Sequence, residues 1–227
     1  MEIPRLKPRG ETASSARVDF SEMTPELLPF LGQAAYIQLE VFENLSRAVS
    51  TAPTLTAKEG LSAAAGIALA KHHVLIAEIR RRDAKPDEVM APFRSAIDRY
   101  RAATTGSDWY ELLLSSYLTA GMLDDFFIRL ADGLPGDSGP WVAELLGRDA
   151  GTDVLVSELQ AGIAADSRLG SRLAMWGRRL VGDTLLIARS ALHGTGPETP
   201  VESRIEPVFT ELVAAHTRRM DLLGLTA

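Results

Sequence analysis

The chain has 227 residues, of which 46% are hydrophobic and 24% charged, and it carries a net charge of −6 and no cysteine. This length suits one sizeable domain that can bury a core beneath a charged surface. The absence of cysteine excludes disulfides, thiolate metal sites and cysteine nucleophiles. The acidic balance argues against duplex nucleic acid as a partner, because that function needs a basic face.

The N-terminus shows no sign of a targeting segment. No apolar run follows Met1, so we expect no secretory signal. The longest nearly uncharged stretch, Leu61–Ala70, is too short to span a bilayer. We therefore expect a soluble, cytoplasmic protein without a membrane partner.

The domain organisation follows from a change in composition near residue 24. Residues 1–23 are rich in Pro, Arg, Ser and Thr and poor in apolar side chains, which predicts a mobile N-terminal arm. Residues 24–227 show the three- and four-residue apolar spacing of helices. We expect this part to form one helical-bundle domain.

The first two helices have recognisable start signals. Thr24 is the expected cap of a helix that runs to about Ser50. Either Thr54 or Thr56 is expected to cap a second helix that ends near Arg82. The remaining helices are predicted at about residues 86–103, 108–131, 139–165 (with an interruption near Gly151), 166–192 and 201–223.

No segment alternates apolar and polar residues between hairpin turns. The pattern therefore predicts six or seven helices and no sheet. Long helices joined by short turns are typical of an antiparallel bundle.

Three short strings carry a resemblance to a known family: LGQAAYIQLE at Leu31–Glu40, ALAKHH at Ala68–His73, and DWYE at Asp108–Glu111. The chain resembles an actinobacterial ferritin-like group that is similar to tRNA methylthio-isopentenyl-adenosine hydroxylases, over about residues 24–190. The resemblance implies a ferritin-like antiparallel four-helix bundle with additional C-terminal helices. It also raises the expectation of a di-iron centre.

A di-iron bundle needs a Glu from each of two helices and a Glu-x-x-His pair from each of two others. No Glu-x-x-His occurs in this sequence, and Leu69 stands three residues before His72. If a metal binds, Glu40, His72 and Asp125 are the candidate ligands. Asp124 and Asp125 point about 100° apart on a helix, so at most one of them faces inward.

The spacing along the first helical hairpin opposes a shared metal. Counted outward from the turn between the first two helices, Glu40 and His72 lie at levels that differ by about eight residues, or ~12 Å along the helix axis. The alternative for His72 is a core histidine hydrogen-bonded to Gln33, Tyr36 or a backbone carbonyl. His193 and His216 are isolated, and we expect both to be exposed.

Three functions remain open at this stage. The first is a non-catalytic binding or structural protein with an incomplete di-iron motif, no cofactor and a small ligand in the bundle core. The second is an iron-dependent O₂-using hydroxylase, for which tRNA is the substrate that the resemblance implies. The third is a homodimer formed through the apolar Leu212–Leu222 face of the last helix. Whether the protein is an enzyme is not decided by its sequence.

Overall fold

The computed structural model describes residues 23–192 and 202–226, the latter with side chains from Glu206 onward. The predicted arm, residues 1–23, lies almost wholly outside the described residues. The described part contains eight helices and no strand, so the all-α prediction is confirmed. The helices are α1 Leu27–Ser50, α2 Leu55–Arg81, α3 Pro86–Thr104, α4 Trp109–Ala131, α5 Ser138–Leu146, α6 Asp153–Ala165, α7 Ser167–Ser190 and α8 Glu202–Leu222.

Three of the predicted helix starts have side-chain caps. Thr54 accepts from the Ala57 amide at 3.1 Å, and Asp108 accepts from the Glu111 amide at 2.9 Å. Asp166 caps α7 in the same way. Each bond satisfies an amide that has no partner within its own helix.

The prediction that Thr24 caps α1 is wrong. The helix begins at Leu27 after Glu26, which makes no side-chain cap. The Thr24 hydroxyl instead donates to the carbonyl of Leu130 at 3.0 Å. This bond ties the segment before α1 to the end of α4.

The interruption expected near Gly151 separates α5 from α6. Gly151 has a φ of 64°, and its amide donates to the Asp149 carboxylate at 2.9 Å. This left-handed conformation is readily adopted by glycine and cannot continue a helix. Within the described residues, the break brings the number of helices to eight, whereas six or seven were predicted.

Contacts between the helices establish their directions. Gln38 on α1 bonds Asp124 on α4, while Ala48 further along α1 bonds Trp109 at the start of α4. The residue numbers rise on α1 as they fall on α4, so these two helices are antiparallel.

The same reasoning places α7 parallel to α4. Arg172 bonds Glu111, and one turn on, Trp176 bonds Ser115. Short connections join α1 to α2, α2 to α3 and α3 to α4. The predicted bundle of long helices with additional C-terminal helices is therefore observed.

The core consists of two apolar clusters along the bundle, one at either end. Each fully buried large side chain contributes about 1.5–3 kcal/mol relative to exposure. The first cluster contains Phe30, Leu31, Leu75, Ile79, Phe126 and Phe127. The second contains Leu61, Leu113, Leu114, Leu118, Leu159 and Leu173.

Among the described helices, α2 alone is long and apolar enough to cross a membrane by length and composition. The expectation from Leu61–Ala70 considered a shorter stretch. In the structure, 44% of the most apolar window of α2 is buried against other helices. Core helices of soluble proteins meet the same criteria, so this finding by itself is weak evidence for a membrane span.

Candidate functional site

The most deeply buried charge in the described chain is the ammonium group of Lys71, at the centre of a polar cluster that joins four helices. The residue is only 4% exposed. Its Nζ lies 3.2 Å from a carboxylate oxygen of Asp124 on α4 and donates to the Leu146 carbonyl at the end of α5 at 2.8 Å. The other carboxylate oxygen of Asp124 accepts from the Gln38 amide on α1 at 2.7 Å.

Lys71 reaches this position because it lies on the apolar stripe of α2. Ala68 precedes it by three residues and Leu75 follows it by four, and both are buried. Positions at this spacing share one helix face. A lysine on such a face is very rarely buried without a partner, and here it is neutralised by Asp124.

Burial and the neighbouring polar groups shift the pKa of Asp124 in opposite directions. Burial raises its pKa above the ordinary range, and Lys71 and Gln38 act in the opposite direction. Burial is the largest of these effects, so removal of the ammonium would leave a carboxylate with little to stabilise its charge.

His72 is a core histidine bonded to the backbone. Its Nδ1 donates to the Ala35 carbonyl on α1 at 2.8 Å, which is the backbone-carbonyl arrangement given above as the alternative to a ligand role. Since a carbonyl only accepts, the proton is on Nδ1 in the neutral ring. Burial lowers the pKa of His72 below 6.5, and neighbouring His73 adds to this effect.

Glu40 points toward α3 rather than toward α2. Its Oε2 lies 3.2 Å from Nε of Arg101, and it has no hydrogen-bond partner in the described chain. The two groups thus attract as charges, while their alignment is too poor for a hydrogen bond. Arg101 also binds Glu43 at 2.7 Å, so one guanidinium on α3 faces both carboxylates of α1.

The environment of Glu40 favours its protonated form. Burial raises its pKa to about 7, although Arg101 opposes the shift. A cavity of about 20 Å³ lies beside it, and its lining combines apolar residues with Asn44, Tyr100, Arg101 and Thr119. This volume holds about one water molecule.

Asp125, the third candidate ligand, points away from both of these groups. Its carboxylate accepts from Arg219 on α8 at 2.8 Å. Arg219 passes close over Gly121, where a methyl group would lie 2.5 Å from its Nε. Of the adjacent pair, Asp124 faces the bundle interior and Asp125 faces α8, as the 100° separation predicts.

The structure therefore gives Glu40, His72 and Asp125 separate partners on α3, α1 and α8, and does not bring them together. Within residues 23–192 and 202–226, no group of three or more Asp, Glu or His side chains is arranged to hold a metal ion.

The exposure predicted for His216 is wrong. It is 2% exposed, and neither ring nitrogen has a hydrogen-bond partner in the described part of the chain. It follows Leu212 by four residues and precedes Met220 by four, both of them buried, so helix periodicity carries it into the α8 interface. His193 lies outside the described residues.

The expected dimer face on α8 is mostly internal. Leu212 and Met220 are buried in the same chain. Leu222 is 57% exposed. The buried residues of this face complete the bundle, so they are not available to a second copy.

Sequence reasoning missed Lys71 and Arg101 as the central cations. The signal for Lys71 was its position on the buried stripe of α2, which required an acidic partner. No similar pattern marked Arg101, because α3 is largely exposed. Arg101 and Glu40 also lie on different helices and are 61 residues apart in sequence.

Comparison with known proteins identifies the family. The family model described as a ferritin-like domain of actinomycetes matches residues 22–193, which include α1 to α7 and exclude α8. No curated protein matches the chain. The matched segment covers most of the chain and seven of the eight described helices, so this protein belongs to the actinomycete ferritin-like domain family.

Proposed function

We propose that this protein is a non-catalytic, structural or binding member of its family, in which a side-chain cation, and not a metal ion, neutralises the inward carboxylate of the bundle. The observation that carries this proposal is the Lys71 ammonium between Asp124 and the Leu146 carbonyl. A di-iron centre uses inward carboxylates to neutralise two cations. Here the inward carboxylate is already neutralised by the protein.

The donor set around this ammonium does not fit a di-iron centre. Gln38 supplies a neutral amide that donates to Asp124, whereas a bridging ligand must donate electron pairs from oxygen. His72 has one nitrogen engaged by Ala35 and no carboxylate three residues before it. Glu40 forms an ion pair with Arg101, and the guanidinium of Arg101 would repel a metal ion.

Among the cavities formed by the described residues, the small size of the one beside Glu40 favours a structural role over a ligand held in the core. The space beside Glu40 is about 20 Å³, whereas small-molecule sites usually measure hundreds of Å³. The larger clefts described are open surface grooves. Binding, if it is the function, is then expected at the surface.

The test is thermal unfolding with ferrous ion added anaerobically, and separately with Co²⁺. A metal that binds only the folded state stabilises it by about 2.7 kcal/mol at a hundred times its dissociation constant. We expect that adding either metal ion leaves Tm unchanged in the wild type, in His72→Ala and in the exposed control His73→Ala. A rise in Tm that occurs in the wild type and His73→Ala, and disappears in His72→Ala, would contradict the proposal and favour the iron-dependent hydroxylase.

A further inference from the structure

The outward face of α7 carries apolar side chains that nothing in the described chain covers. Met175 is 62% exposed and Leu186 is 68% exposed. Between them lies Gly182, which is exposed and has no atom within 4 Å of the position that a methyl group would take. Helix spacing places these residues and Arg179 on one stripe, at steps of four, three and four.

This stripe has the spacing of a helix–helix interface. Steps of three and four residues are the pattern by which two helices pack with interlocking side chains. The opposite face of α7 is buried through Leu173, Leu180 and Ile187, so the outward stripe takes no part in the packing of the described helices.

The charges beside the stripe are unpaired and complementary. Within the described residues, Arg179 and Asp183 form no ion pair with each other or with another side chain. Arg179 instead lies over the Trp176 ring, with its guanidinium carbon 5.3 Å from the ring centroid. Arg179 and Asp183 lie on the same flank of α7, since four residues turn the helix by about 40° beyond one full turn.

We propose that a second copy of this chain packs on the stripe, with the two α7 helices antiparallel and related by a twofold axis near Leu180 and Val181. This pairing places Met175 of each copy level with Leu186 of the other copy, so the contact occurs twice. It also places Arg179 level with Gly182 of the other copy.

Two features of the stripe fit this symmetric arrangement. In an antiparallel pair, equivalent flanks of the two helices meet, so Arg179 of one copy faces Asp183 of the other in both directions. Gly182 provides the notch over which the arginine stem passes. Both ion pairs are then made by one self-complementary surface, as a twofold dimer requires.

The proposal is independent of the proposed function, because it concerns the outside of the bundle and not its polar interior. It differs from the α8 dimer expected from the sequence, whose key residues are buried. The experiment is sedimentation equilibrium of the full chain between about 1 and 100 µM. A dimer has twice the chain mass of 24.5 kDa.

We expect the wild type to be dimeric and Met175→Glu/Leu186→Glu to be monomeric, with an increase in Kd of at least about tenfold, the equivalent of ~1.4 kcal/mol. Leu55→Glu is the matched control, because Leu55 is 84% exposed on α2 and far from the stripe in sequence. It is expected to remain dimeric. Circular dichroism and Tm establish that each variant is folded.

The charge pairing has its own test. Arg179→Glu or Asp183→Arg alone is expected to weaken the dimer several-fold, since each change disrupts two symmetric surface pairs. The double variant Arg179→Glu/Asp183→Arg is expected to restore it. A monomeric wild type at 100 µM, or a dimer that survives Met175→Glu/Leu186→Glu, would overturn the proposal.

Discussion

Replacement of Lys71 by methionine is the most informative perturbation of the bundle interior. The substitution keeps an unbranched apolar stem of nearly the same length and removes the ammonium, so Asp124 loses its cation and the Leu146 carbonyl loses its donor. Loss of one partner of a buried ion pair costs about 3–5 kcal/mol. Asp124 keeps the Gln38 bond and 16% side-chain exposure, so we expect the lower end, about 3 kcal/mol.

The assay is urea unfolding at pH 7, together with a thermal scan. A loss of this size lowers Tm by roughly 6–12 °C in a protein of this length. Lys85→Met is the matched control: the Lys85–Glu88 pair is exposed, and its loss costs at most about 0.5 kcal/mol.

A second substitution separates charge from packing. Asp124→Asn in the Lys71→Met background removes the orphaned charge and keeps an acceptor for Gln38, so most of the lost stability is expected to return. If Lys71→Met costs no more than Lys85→Met, the ammonium is not the electrostatic centre of the bundle and the reasoning is refuted.

Three further predictions concern backbone contact and pH. Gly32→Ala places a methyl group 2.5 Å from the Val89 carbonyl oxygen and is expected to lower the free energy of unfolding in urea by about 1–3 kcal/mol. The control is Gly66→Ala, where the space is open and the change should stabilise α2 by up to about 1 kcal/mol. Equal effects of the two substitutions would refute the close contact. The pKa of Glu40 is raised to about 7, so its contribution to stability falls as pH rises from about 4.5 to 7, by roughly 3 kcal/mol at most; Glu40→Gln should remove this slope from unfolding curves measured across that range. The pKa of His216 is lowered to about 4, so stability is lost as pH falls from about 6.5 toward 4. His216→Leu should reduce that loss and raise the free energy of unfolding at pH 7 by about 1–3 kcal/mol, because it removes an unsatisfied polar ring. If the stability of His216→Leu depended on acid pH as that of the wild type does, a buried, neutral histidine would be contradicted.

Much of the architecture could be predicted from sequence because it rests on local signals. Capping side chains mark the starts of α2, α4 and α7, and glycine or proline marks most of the other breaks between helices. Thr24 shows the limit of such signals: its hydroxyl is as suitable for a cap as that of Thr54, but a carbonyl 106 residues away competes for it.

The candidate site was less predictable because helix spacing gives a face and not a partner. The ~12 Å offset argued against one cluster containing Glu40 and His72, and a backbone carbonyl bond was among the alternatives for His72. The sequence could not select Ala35, Arg101 or Arg219 as partners, since each contact crosses between helices that are distant along the chain.

The most direct test of the central claim, that a protein ammonium and not a metal ion neutralises the inward Asp124 carboxylate, is the iron content of the wild-type protein. The protein should be produced with ample iron, purified without chelator and analysed by elemental mass spectrometry. The account predicts a folded bundle with far less than one iron per chain. About two irons per chain, lost in His72→Ala and kept in His73→Ala, would contradict it.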